Sequence, residues 1–140
     1  MRAIVKRPNS APVEQDIRLE DLPKIVEGSP GRCISGPGVH VYCNDDGLGT
    51  GLPLNVVRPS DGSPIMGTIV AIGVDGPYER GLTERECALW LATLALIGVD
   101  PFVGLDDTKT WRVAAMRDLA PRIHDQDRKM YIKLVELVER

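Results

Sequence analysis

The residues with the most chemical potential lie in the first half of the chain. Cys33, His40 and Cys43 come close together, Asp45 and Asp46 follow, and Gly47-Leu48-Gly49-Thr50-Gly51 runs directly after them. Three chemistries fit those residue types: a soft-metal site with Cys87 as a fourth ligand, a phosphate cradle, and a calcium loop on Asn44-Asp45-Asp46-Gly47. Each requires a context that can be checked in the sequence. Structural zinc sites draw on close Cys-x₂₋₄-Cys pairs, and none is present. In an extended strand His40 and Cys43 also project from opposite faces. A dinucleotide loop opens into a helix whose N-terminus holds the pyrophosphate. Here Pro53, Arg58-Pro59 and Ser63-Pro64 leave no room for such a helix, and the chain has no Gly-Lys-Ser/Thr triplet. A calcium hand needs alternating oxygen ligands closed by a glutamate and flanked by helices. Asn, Asp and Gly after a strand are ordinary turn chemistry instead.

Catalysis finds little to work with. The histidines are His40 and His124, the latter within the charged stretch Arg122-Ile123-His124-Asp125. No nucleophile stands beside a base and an orienting group. A small enzyme could be built only on His40, Asp45 or Cys43. No catalytic residue, no metal and no cofactor is expected.

The elements that carry these residues follow from local patterns. Ala3-Ile4-Val5 predicts a strand ended by Pro8, and Pro12 to Ile17 returns beside it. Leu19, Leu22, Ile25 and Val26 recur at helical spacing, with Pro23 in the first turn and Gly28 as the left-handed stop. Residues 32–35 and 39–43 form a hairpin about Gly36-Pro37-Gly38. The apolar run from Thr68 to Gly73 predicts a central strand covered on both faces. Thr83-Glu84-Arg85-Glu86 is a capping box opening a buried helix 83–97, which stops at Gly98. Beyond Asp100-Pro101 a helix over 108–119 ends before Pro121. A last helix from Asp125 places Tyr131, Leu134, Val135 and Val138 on one face, its acidic residues Asp125 and Asp127 on a solvated one. The fold class is α+β, with a small mixed or antiparallel sheet, the buried helix and a C-terminal helical pair. Residues 1–99 form the core and 100–140 a helical extension packed on it.

Size and charge narrow the function classes. The chain has 140 residues, enough for one sizeable core. A net charge of −3 lacks the overall positive field of a non-specific nucleic-acid binder. The three cysteines form no close-spaced framework, which favours reduced thiols and a cytoplasmic setting. The apolar segment 87–99 is too short to span a bilayer, and the N-terminus has only a three-residue apolar run.

Several fixed residues in order carry a family resemblance. Cys43-Asn44-Asp45, Gly47, Gly51-Leu52-Pro53-x-Asn55, Gly67-Thr68, Gly73 and Leu82-Thr83-Glu84 resemble the pattern of the domain of unknown function numbered 3846. That family occurs in bacteriophages, plasmids and their bacterial hosts. The resemblance covers about residues 1–96. Members tend to place a basic residue straight after the Asn, whereas here Val56 and Val57 precede Arg58. It implies an α+β domain of mobile-element origin and brings no activity with it.

Long loops in compact domains collect binding residues, so Asn55, Arg58 and Asp61 are the candidate ligand contacts. Trp111, Arg112 and Tyr131, with Met116 and Met130, are the candidate partner face, unless they only pack on helix 83–97. The expected function is a non-catalytic accessory protein of phage or plasmid type that binds a host protein or a small molecule. A nucleotide signal used in host defence is one such molecule, which would make the role counter-defence. The alternative is a DNA-binding regulator in which helices 108–119 and 125–139 present Lys109, Arg112, Arg117 and Arg122. The acidic Asp106, Asp107, Asp118, Asp125 and Asp127 oppose it. Homo-oligomers through strand edges or the C-terminal helices are open, and no membrane partner is expected.

Overall fold

A computed structural model describes residues 1–98 and 117–138. The order of elements is β1 (Arg2–Lys6), β2 (Val13–Asp16), α1 (Leu22–Ile25), β3 (Pro30–Gly36), β4 (Val39–Asn44), β5 (Leu54–Val57), β6 (Pro64–Met66), β7 (Ile69–Asp75), β8 (Tyr78–Arg80), α2 (Glu84–Ile97) and α3 (Asp125–Val138). The fold is α+β. The main sheet runs β2-β1-β7-β4-β3 with β8 on the far end of β7, and all its pairings are antiparallel. β5 and β6 form a separate hairpin.

β7 sits in the middle because its run of Ile69, Val70, Ala71 and Ile72 is apolar on both faces and wholly buried. On one face Ile4, Val39, Val41, Ile69 and Ala71 pack under α2. On the other, Ala3, Val5, Val70 and Ile72 meet Ile17, Leu22 and Val26 around α1. Each such Val or Ile contributes roughly 1.5–3 kcal/mol by leaving water. In β2 all four residues are exposed, Val13 included, and only Ile17 beyond it turns inward.

α1 ends one residue earlier than the glycine predicts. Glu27, not Gly28, takes the left-handed conformation, at φ 61°. The N–H of Gly28 donates to Pro23 (2.9 Å) and that of Glu27 to Lys24 (3.3 Å), which closes the helix in a Schellman pattern. Gly28 is needed for space instead. A Cβ there would lie 2.5 Å from Asn44 Nδ2, the group that donates to the Glu27 carbonyl at 2.9 Å.

α2 starts with the expected reciprocal cap: the Glu86 N–H donates to Thr83 Oγ1 at 3.1 Å and the Thr83 N–H to Glu86 Oε1 at 2.9 Å. Leu82 and Cys87, flanking the cap, are buried in the same cluster. Arg80 from β8 adds two bonds to Glu86, at 2.7 and 3.0 Å. Burial pushes the Glu86 carboxyl up, but Arg80 and the Thr83 N–H outweigh it and hold it below its ordinary value. Ten residues of α2, from Cys87 to Ile97, are buried.

α3 lies against α2, with Tyr131 buried and Leu134, Val135 and Val138 packed on the core. Asp127 departs from its expected place on a solvated face. It is 6% exposed, because Arg85 of α2 reaches across to neutralise it. Of the helix expected over 108–119, only 117–119 are described, and they are helical. Trp111, Arg112, Lys109, Met116, Asp106 and Asp107 lie outside the described residues. Among the described residues no helix is long and apolar enough to cross a membrane.

Candidate binding groove

The glycine-rich segment folds on itself. Asn44 Oδ1 accepts the Asp46 N–H at 2.8 Å, and the N–H groups of Gly47, Thr50, Gly51 and Leu52 bond to carbonyls of residues 44–48. Those donors point inward, away from any shared anion. Gly51 has φ 72°, as a tight turn requires, and the chain then enters β5 rather than a helix. This geometry offers no helix-mouthed phosphate cradle.

Asn55, expected at the surface of that loop, is fully buried. Its Nδ2 donates to the carbonyls of Lys6 (2.7 Å) and Gly67 (2.8 Å), and Lys6 Nζ donates to its Oδ1 at 2.5 Å. The amide joins β1 to the turn before β7, which makes it a brace and leaves it no surface for a ligand. Arg58 and Asp61 are paired with each other across the β5–β6 turn. Arg58 Nε and Nη2 donate to the Asp61 carboxylate at 3.0 and 2.8 Å, and Nη1 donates to the Cys33 carbonyl at 2.9 Å. Arg58 and the Ser63 N–H together hold the Asp61 carboxyl well below the usual range. So Asn55 is separated from the other two, while Arg58 stays partly open to solvent.

His40 and Cys43 do face opposite ways. His40 lies beside Tyr42 and Arg32, with Tyr42 Oη 3.5 Å from Nδ1 and Arg32 Nη1 3.3 Å from Nε2. Cys33 and Cys43 share the other face, packed against the α2 cluster. Among the described residues no three His, Cys, Asp or Glu side chains converge as a metal site would.

A concave feature among the described residues lies elsewhere. A groove of about 890 Å³ opens between the β3–β4 turn, α2 and α3. Its floor is Leu89, Trp90, Tyr131 and Leu134, and Met130 stands at its edge. The turn can lie flat on Trp90 only because residue 36 is glycine: a Cβ there would sit 2.5 Å from Cζ2 of the indole. Arg85 fixes the second wall. Its Nε and Nη2 donate to the two Asp127 oxygens, both at 2.8 Å, and Nη1 donates to Gln126 Oε1 at 2.6 Å. The Arg85 bonds pull the Asp127 carboxyl below its ordinary value in spite of burial. Tyr131, a predicted partner residue, is therefore mostly core and shows the groove floor only a small part of its side chain.

Trp90, Arg85 and Asp127 were not among the predicted site residues. The spacing 86-90-93 on α2 matches 127-130/131-134 on α3, one groove-lining stripe on each helix. The apolar circumference of α2 conceals that stripe. The basic residues of the DNA-binding reading that are described are engaged with acids: Arg117 with Asp118 at 3.0 Å and Arg122 with Glu14 at 3.3 Å.

Residues 1–95 match the family described as a domain of unknown function, DUF3846, and the chain belongs to it. No curated protein and no solved structure matches. The matched span holds the sheet and nearly all of α2, whereas α3, the far wall of the groove, lies outside it.

Proposed function

We propose that this DUF3846 member is a non-catalytic, cytoplasmic accessory protein of phage or plasmid type that works by binding. Its ligand is a small molecule with a flat or apolar body, taken up between α2 and α3. The observation that carries this reading is the groove itself. Its volume of about 890 Å³ is in the range of small-molecule sites, roughly 300–1,000 Å³, which join an apolar floor to a few placed polar groups. Trp90 and Tyr131 supply flat surface, and Arg85, Glu86, Gln126 and Asp127 supply polar groups of both signs at the rim. A nucleotide signal belongs to this ligand class, its base stacking on the aromatic floor and its polar part meeting the rim.

The test is recovery of a bound molecule from the protein expressed in its natural host. Native mass spectrometry of the full chain should show an added mass that denaturing conditions release. A Met130→Glu variant, altered at a half-exposed edge residue, should retain its unfolding temperature and lose at least about tenfold of that occupancy. Equal recovery from both proteins, or capture of a host polypeptide instead of a small molecule, would refute the small-molecule reading. Retardation of a DNA duplex at low salt would replace it with the regulator reading.

A further inference from the structure

A second cavity, of about 250 Å³, lies under the β5–β6 hairpin. Cys33, Cys43 and Arg58 line it, with Asp45 at its mouth. The two cysteines meet there because of an irregularity in the β3–β4 ladder. Arg32 pairs with Tyr42 and Ile34 with Val41, so Cys33 is the extra residue of a bulge. The bulge turns its side chain toward β4, where Sγ lies 3.4 Å from the Val41 carbonyl. Cys43 opposes Gly31, which has no side chain to separate the thiols. Both cysteines are free and half-buried, whereas Cys87 is wholly buried in the core.

We propose that Cys33 and Cys43 form a reactive thiol pair that closes to a disulfide when a low-molecular-weight disulfide enters this cavity. The inference is independent of the α2–α3 groove. Cys43 is the attacking thiol and Cys33 the resolving one. Its contact with Cys33 draws the Cys43 thiol below its ordinary value, and Arg58 helps while burial and Asp45 oppose. The same contact, with burial, pushes the Cys33 thiol up. In the first step the Cys43 thiolate bonds to one sulfur of the entering disulfide. The disulfide's S–S bond breaks, and one thiolate leaves and takes up a proton. In the second, Cys33 gives up its proton and attacks Cys43 Sγ, releasing the other thiolate. The sum is two protein thiols and one small disulfide converted to one protein disulfide and two small thiols. The protein is oxidised and the reagent reduced by the same two electrons.

The probe is bis(2-hydroxyethyl) disulfide, added to the full chain in native buffer and followed by intact mass. The wild-type protein should lose two hydrogens without a lasting adduct. Peptide mapping should then place the bridge inside the arginine-free stretch 33–57. Cys33→Ser should trap one probe group on Cys43, and Cys43→Ser should react at least about tenfold more slowly, because the thiol it leaves is the one burial keeps protonated. A wild-type chain that keeps a probe adduct without bridging, or does not react, would overturn the proposal. So would Cys33→Ser and Cys43→Ser reacting at one rate while both keep their far-ultraviolet circular dichroism. If either variant unfolds, the wild-type reaction decides alone.

Discussion

Asn55→Ala removes a side chain that reaches no solvent and holds three groups at once. The carbonyls of Lys6 and Gly67 each lose a donor, at 2.7 and 2.8 Å, and Lys6 Nζ loses its acceptor at Oδ1. A buried carbonyl left without its donor costs roughly 1–3 kcal/mol, so two of them put the loss at about 3 kcal/mol or more. For a chain of this size each kcal/mol lowers Tm by roughly 3–4 °C. The expected fall is therefore about 10 °C, measured by circular dichroism in a thermal scan and checked by urea midpoint. Asn55→Asp sharpens the reasoning. It keeps the shape and offers Lys6 a carboxylate, yet it aims oxygens at two carbonyls that need donors, so it should destabilise as well. A Tm drop of less than about 2 °C in Asn55→Ala would refute the bracing role.

Other outcomes follow from single contacts. Asp127→Asn should lower Tm at neutral pH, since it weakens the bidentate tie from Arg85 that holds α3 on α2. The folded-state pKa of Asp127 is depressed, so its stabilisation is full above the unfolded value of about 4 and is lost as pH falls through the folded one. The gap between wild type and variant should thus narrow as pH falls below about 4 in acid thermal scans, and a gap unchanged down to about pH 2 would contradict the pairing. Glu27→Gly should stabilise the chain by about 0.5–1 kcal/mol, by relieving a left-handed backbone at a residue with a Cβ. Gly28→Ala should cost about 1–2 kcal/mol, because its new methyl displaces Asn44 from the Glu27 carbonyl. Urea midpoints check both, and opposite signs would show that the helix stop is misassigned.

Where a pattern was local, the sequence was enough to read it. The capping box at Thr83, the apolar run of β7 and the buried face of α3 each rest on neighbours within a few positions, so propensity and packing agree. What escaped depends on distant partners. Asn55 sits in a stretch rich in turn residues, and only its contact with Lys6, 49 positions away, makes it core. Asp127 resembles any exposed helix acid until Arg85, 42 positions earlier, is placed beside it. The bulge at Cys33 leaves no trace in residue types, because a ladder irregularity belongs to two strands at once. Glycine at 28 has two structural uses, a left-handed φ or close approach of another group, and sequence alone does not separate them. Of the predicted site residues, Arg58 and Asp61 come together, and Tyr131 lies in the groove floor.

One wall of the groove lies within the span matched by the family and the other lies outside it. A relative made only of the first 95 residues would leave the flank of Leu89 and Trp90 bare to water, an oily strip that must recruit a cover of its own. Ile123 and Tyr131 close that strip by joining the same core as the sheet, so the far wall of the groove and the packing of α2 are set by one stretch of chain.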